Sequence, residues 1–333
     1  MTEFLDICYD AIKKQEHAIP RTIEALDESA ASIIKDKKQV VLVGCGDSYA
    51  ASDYGRWTFL KAGLNALVVS PDEIEHIQLN KETVMIGITA SGRSLATIEA
   101  LQKAKSKGAT IVVLTDDEDG AASQTTDYVW ITKSGVSTYN TSPSAPTTAA
   151  MAYLLAVSSK LGKSADGLEH DIEQLKRIGK DMITWAEQEG IAISQLTSPN
   201  VPIYFISEGP NHIAAQIGMM KFNEYSILKG IASIREEFRH HHNISIKDNE
   251  SAVLITGSPV NPSDEVYMKV LRDSLKMRTH HLHSPEKLGL KLPLVQAIPN
   301  AIALQMAAYH TVLKFNPDKK SFKLPHAEAF KIY

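Results

Sequence analysis

The chain has 333 residues, 44% hydrophobic and 22% charged, with 35 Lys+Arg against 39 Asp+Glu and a formal net charge of −4. That length suits two domains, the composition is globular, and the lack of a long basic run argues against nucleic acid as a partner. Two cysteines, Cys8 and Cys45, exclude a disulfide framework; no apolar run approaches a membrane span, and the acidic start lacks a basic leader, so a cytoplasmic protein without membrane attachment is expected.

The first twenty-odd residues read as helix, with Leu5, Ile12 and Ile19 apolar among Lys, Glu and Asp. Short β-branched runs follow at Val40–Val43, Ala66–Val69, Val84–Ile88, Thr110–Leu114 and Tyr128–Ile131, separated by stretches with helical spacing such as Leu95, Ile98, Leu101 and Ala104. Continuous apolar strands alternating with helices predict a doubly wound parallel sheet that binds ligands at the carboxyl ends of its strands. A Ser/Thr/Pro/Asn-rich loop from Ser134 to Pro146 leads to a helix around Met151, and from Gly162 to about Asn200 the chain is polar and helical. The expected division is therefore 1–160 for the N-terminal helix and first domain, 161–199 for a helical connection, and 200–333 for a second domain with a tail.

The second half restarts the first. Val43-Gly44-Cys45-Gly46-Asp47-Ser48 has a counterpart in Ile206-Ser207-Glu208-Gly209-Pro210-Asn211, and Ile88-Thr89-Ala90-Ser91 in Ile255-Thr256-Gly257-Ser258. The offsets are nearly equal, 163 residues from Gly46 to Gly209 and 167 from Ile88 to Ile255. Two tandem copies of one α/β unit explain this.

Thr89-Ala90-Ser91-Gly92-Arg93-Ser94 lies where an apolar strand turns into a helix. Free backbone N–H groups, the positive end of the helix dipole and several hydroxyls could there hold a phosphate monoester without Lys or metal. Simple helix capping is the alternative. Gly44-Cys45-Gly46-Asp47-Ser48 is a second such turn on the same edge, lacking the third Gly of a dinucleotide fingerprint. In the second half Lys221 and Glu224 lie three apart on a predicted helix, and His240 follows sixteen residues after Glu224. A carboxylate and an imidazole can move protons at neutral pH, although a Lys–Glu pair can equally decorate a solvated helix face. The clusters His240-His241-His242 and His280, His281, His283 lack metal-ligand spacing, because adjacent rings on a strand would point to opposite faces. No metal and no cofactor is expected.

These stretches resemble the double sugar-isomerase (SIS) family, in particular the isomerase half of glutamine–fructose-6-phosphate aminotransferase and archaeal-type glucosamine-6-phosphate deaminases. The similarity runs from about Glu28 to the C-terminus, through the Gly44–Tyr49 turn, Thr89–Ser94 with Thr97, Met220–Ser226, and Pro293–Pro299 running into Tyr309-His310. It implies two tandem flavodoxin-like SIS domains in a homodimer acting on a sugar phosphate. By resemblance, Ser48, Thr89, Ala90, Ser91, Gly92 and Ser94 hold the phosphate, and Gly46 and Asp47 adjoin the substrate. Glu224 moves a proton between C1 and C2 and Lys221 shares its site. His240, from across the dimer interface, opens the sugar ring, and Lys323, or else Lys320, acts on the open-chain carbonyl.

The sequence departs from that pattern at Asp47, where the aminotransferase has Thr, at Glu237-Phe238-Arg239-His240-His241-His242, which loses a Gly-Pro, and at Ser142-Pro143-Ser144, which lacks a lysine. No glutaminase segment precedes Thr2, so glutamine is not the expected ammonia source within this chain. The implied activity is a 1,2-proton transfer on an (amino)hexose 6-phosphate with deamination. Phosphoglucose/phosphomannose isomerisation, fructosamine-6-phosphate deglycation and non-enzymatic phosphosugar sensing are the alternatives.

Overall fold

The computed structural model describes residues 2–136, 145–161, 167–226 and 228–321. Two helices open the chain, α1 (Glu3–Lys13) and α2 (Gln15–Glu24). Thr2 caps α1, its hydroxyl accepting from the Leu5 amide at 3.4 Å, and Leu5, Cys8, Ala11 and Ile12 form the buried stripe of that helix.

Packing then divides the described residues into two compact units, one from His17 to Arg177 and one joining the residues up to Glu16 to Ile178–Ser321. The first unit contains α3 (Ala30–Lys35), β1 (Gln39–Val43), α4 (Asp47–Lys61), β2 (Ala66–Val69), β3 (Thr83–Ile88), α5 (Leu95–Ser106), β4 (Thr110–Thr115), β5 (Tyr128–Ile131), α6 (Ala145–Ser159) and α7 (Leu168–Leu175). Its five strands are all parallel, in the order β2-β1-β3-β4-β5. Each expected β-branched run forms its strand. β3 is buried at every residue, as a central strand covered on both faces must be. One face packs Val41, Val43, Met85 and Ile111 against Leu101 and Ala104 of α5. On the other, α4 lies so close to the sheet that a Cβ on Gly55 would fall 2.4 Å from Leu42.

The second unit contains α8 (Gly179–Gln195), β6 (Ile203–Ser207), α9 (His212–Lys221), β7 (Gly230–Ile234), α10 (Arg235–His240), β8 (Ser251–Thr256), α11 (Pro262–Lys269), β9 (Arg278–His283) and α12 (Pro293–Phe315). Its four parallel strands run β7-β6-β8-β9, the order of β2-β1-β3-β4 in the first sheet. Register agrees as well: Val43 pairs with Gly87 at the end of β1, and Ser207 with Ile255 at the end of β6. Gly46 and Gly209, matched by sequence, both take φ +55° just beyond those strands, a backbone region that favours glycine.

The chain passes from one unit to the other between Arg177 and Ile178. The first helix belongs with the second sheet: Tyr9 stacks on Tyr309 of α12 with ring centroids 5.0 Å apart, and its hydroxyl donates to Glu187 of α8 at 2.6 Å. Helix α8 packs on α12 so tightly that a Cβ on Gly190 would lie 2.5 Å from the Met306 Cβ. Those contacts join distant parts of the chain and leave no local sequence signature.

Candidate active site

In the first unit, β3 delivers Thr89 to the carboxyl edge of the sheet. The Thr89 amide continues the ladder to the Leu114 carbonyl at 3.1 Å, and the Gly92 amide closes a turn on the Thr89 carbonyl at 3.0 Å. Gly92 takes φ +66°, and an added Cβ would meet the Gly120 Cα at 2.9 Å, so both the dihedral and the space demand glycine. The Ala90 carbonyl accepts from the Asp116 amide at 3.2 Å. Among the described residues the hydroxyls of Thr89 and Ser91 have no hydrogen-bond partner, although Thr89 is 2% exposed. Ser94 precedes α5 in extended conformation, yet its side chain does not cap the helix. The capping alternative therefore fails here, and the hydroxyls and the first turn of α5 converge on one edge.

The Gly44–Ser48 turn meets the same edge. A Cβ on Gly44 would lie 2.7 Å from the Ser48 backbone, which explains glycine at that point. Cys45 is exposed, and its Sγ lies 3.7 Å from the Ser94 Oγ, joining the two predicted turns. Asp47 and Ser48 begin α4, and the Asp47 carboxylate accepts from the Thr147 hydroxyl of α6 at 3.2 Å. Beside Ala90 and Ser91 opens a cleft of about 440 Å³, continued by Asp116, Asp117, Glu118 and Thr132–Val136. The Asp116 carboxylate fixes its wall, accepting from Thr132 Oγ1 at 2.5 Å, from the Ser134 amide at 3.1 Å and from the Ser134 hydroxyl. Sequence reasoning missed these cleft residues, although their place beyond the strands that follow Thr89 is where this class of sheet binds ligands.

In the second unit, α9 ends at Lys221 and passes into a π-helical turn, Phe222–Ser226, which carries Glu224. The expected continuous helix is thus locally widened, a feature frequent at functional sites. Lys221 is 2% exposed, and its Nζ donates to Glu224 Oε1. A solvated helix face does not describe this pair: an ammonium is buried only when paired. Tyr225 of the same turn packs against Phe4 of α1, with ring centroids 6.4 Å apart. His240 ends α10, with its side chain 71% exposed and Nε2 3.1 Å from Glu236. Its triplet is thus helical at its start and not strand, whereas His280, His281 and His283 do lie on β9. Lys323 falls outside the described residues, as does Ser142-Pro143-Ser144, and Lys320 is exposed.

The turn after β8, which corresponds to Thr89–Gly92, is differently furnished. Thr256 Oγ1 lies 2.8 Å from His281 Nε2. The Gln296 carboxamide of α12 accepts from the Ser258 amide at 2.8 Å and donates to the carbonyls of Ser258 at 3.0 Å and Leu290 at 2.7 Å. Burial, reinforced by His283, pushes the His281 pKa down to about 4.

Residues 33–159, which hold the first sheet and its open turn, match the SIS domain family. Residues 33–159 are thus a SIS domain. Isomerizing glutamine–fructose-6-phosphate aminotransferase of Aquifex aeolicus is 25% identical over 331 residues, covering 92% of this chain and 55% of the relative. The chain thus spans about half the length of the curated relatives it matches. Among solved structures, the C-terminal domain of glucosamine-fructose-6-phosphate aminotransferase from Francisella tularensis superposes with a TM-score of 0.78 at 19% identity, covering 94% of this chain and 96% of that one. Glucosamine-6-phosphate deaminase from Thermotoga maritima gives 0.72 at 15%, covering 96% and 98%. Both are likenesses of fold, and both extend over the two units. No helix among the described residues is long and apolar enough to cross a membrane.

Proposed function

We propose that this SIS-domain protein is a sugar-phosphate isomerase/deaminase that shifts a proton between C1 and C2 of an amino-hexose 6-phosphate. The observation that carries this reading is the buried Lys221 holding Glu224 on a π-helical turn. Burying an ammonium is costly, and here the buried charge is paired with a carboxylate of the type that moves protons. The open turn at Thr89–Ser94, with Ser48, supports phosphate recognition by hydroxyls and backbone amides. The names of the aminotransferase and deaminase relatives point to the same substrate class.

On this reading the sugar 6-phosphate docks on the Thr89–Ser94 turn and its ring opens with help from His240. The exposure of His240 suits a role contributed across a homodimer. Glu224 then removes the C2 proton of the open-chain aldehyde, electrons move to the C1 oxygen, and an enaminol forms. Return of the proton to C1 leaves an imine at C2. Water adds to that carbon, the C–N bond breaks, and fructose 6-phosphate and ammonia leave. A substrate without the amino group would undergo aldose–ketose isomerisation by the same proton shift.

The purified protein is to be assayed with glucosamine 6-phosphate, glucose 6-phosphate and a fructosamine 6-phosphate, reading ammonia and sugar products. Ammonia with fructose 6-phosphate from the first is the expected result. Glu224→Gln should lower kcat on the order of 10²-fold or more with little change in KM, the signature of a lost base. Near-normal turnover by that variant would overturn the proton-shuttle assignment.

A further inference from the structure

Cys45, Ser94 and Thr97 form a closed set of three side chains between the two turns of the first sheet. Thr97 Oγ1 donates to Ser94 Oγ at 3.1 Å, Ser94 Oγ donates to Cys45 Sγ at 3.7 Å, and Sγ lies 3.7 Å from Thr97 Oγ1. Each group has one proton. The Thr97 proton is spent on Ser94 and the Ser94 proton on sulfur, so the thiol proton completes the ring toward Thr97. Thr97 is fully buried and anchors the set, while Ser94 is partly exposed and Cys45 is exposed.

We infer that Cys45 is a positioning residue for phosphate binding, acting through Ser94; this rests on the reading of Thr89–Ser94 as the phosphate turn. A hydroxyl in a phosphate site must be oriented and yet ready to turn its proton toward the ligand. Sulfur meets both needs because it is a weak acceptor. It holds the Ser94 hydroxyl between the two turns when no ligand is bound. An anionic phosphate oxygen, whose hydrogen bonds are roughly twice as strong as neutral ones, then takes that proton at little cost. An oxygen in place of the sulfur would hold the proton harder and oppose the exchange. The set also couples the turns: Cys45 comes from the β1–α4 connection, whereas Ser94 and Thr97 belong to α5 and its start.

The test is titration of inorganic phosphate and of glucosamine 6-phosphate into the full chain by calorimetry, with thermal melting to check that each variant is folded. Ser94→Ala should weaken both ligands on the order of 10-fold. Cys45→Ser, nearly isosteric, should weaken them about 3-fold or more, and Cys45→Ala should weaken them less than Cys45→Ser does. That ranking is the reverse of what a packing role would give, because alanine departs further from cysteine. In the Ser94→Ala background, Cys45→Ser should have no further effect. An equal loss from Cys45→Ser with and without Ser94 would overturn the inference while leaving the phosphate turn standing. Unchanged phosphate binding in Ser94→Ala would overturn the phosphate-turn reading itself, and the role of Cys45 with it.

Discussion

After its third strand the first sheet leaves the hydroxyls of Thr89 and Ser91 without protein partners among the described residues, whereas the second sheet closes the corresponding turn with its own side chains. Thr256, in the place of Thr89, meets His281; the Ser258 amide, in the place of that of Ser91, is taken by Gln296. Pro259 stands where the first turn has Gly92, and proline has no N–H to offer a ligand. Asn300 completes the closure, donating to the Thr256 carbonyl at 3.2 Å and to Asn211 at 2.9 Å. All of the inserted carboxamides come from α12. Helix α6, which follows the first sheet, carries neither Gln nor Asn. Duplication thus preserved strand order and the positive-φ glycines. Whether a turn can serve a ligand is decided by what the next helix puts into it.

Truncating the matched serines should affect the two turns very differently. Ser91→Ala should weaken binding of inorganic phosphate about 10-fold or more, since a hydrogen bond to a charged group contributes roughly 1.5–3 kcal/mol. Ser258→Ala should change it less than about 2-fold, because the Ser258 turn already has an internal occupant. Calorimetric titration of both variants decides the matter; a larger loss from Ser258→Ala would reverse the roles assigned to the two sheets.

The next largest effect should be on stability. Gln296 is fully buried and makes three hydrogen bonds, so Gln296→Ala strands one amide and two carbonyls in the second unit. Losing buried partners of this kind costs about 1–3 kcal/mol per stranded group when nothing replaces them. A total loss of about 2–4 kcal/mol is expected in urea unfolding, water filling part of the space. A loss below about 0.5 kcal/mol would mean that the carboxamide does not hold the turn shut.

Much of this arrangement is legible in the amino-acid order and some is not, for identifiable reasons. The first-sheet strands are runs such as Val40–Val43, whose β-branched residues bounded by glycine turns carry their own local signal. The repeat is legible because Gly46 and Gly209 answer the same backbone demand. The pairing of Lys221 with Glu224 is likewise readable from spacing, but the burial of Lys221 is not: an i,i+3 pair looks the same on a wet helix. Nor could sequence foretell Gln296 reaching back 38 residues to Ser258, or α1 joining the far end of the chain. Cys45 is legible as part of the Gly44–Ser48 turn, but its contacts with Ser94 and Thr97, 49 and 52 residues on, are not. What escapes is contact between remote segments, which no local periodicity encodes.

The smallest effect, and the one most specific to the second sheet, is acid sensitivity at His281. Burial together with His283 favours its neutral form and brings its pKa to about 4, below the 6.5 of an unperturbed imidazole. Thr256 faces its Nε2; His280 and Arg235 also disfavour its charge, while Asp264 favours it. The unfolded chain therefore binds a proton that the folded one refuses throughout the window between about 4 and 6.5. Stability from this group is complete above pH 6.5, falls as pH drops through that window, and falls no further below about 4. His242 and His310 of the same unit, also lowered by burial, add to the same slope. The fourth strand of the first sheet, Thr110–Thr115, holds no titratable group. Amide exchange should accordingly quicken across β8 and β9 on going from pH 7 to 4.5, after correction for intrinsic rates, more than across β3 and β4. His281→Asn, which keeps a polar partner for Thr256 but cannot take up a proton, should reduce that difference. An acid response unchanged in His281→Asn would show that the Thr256–His281 contact does not distinguish the closed turn from the open one.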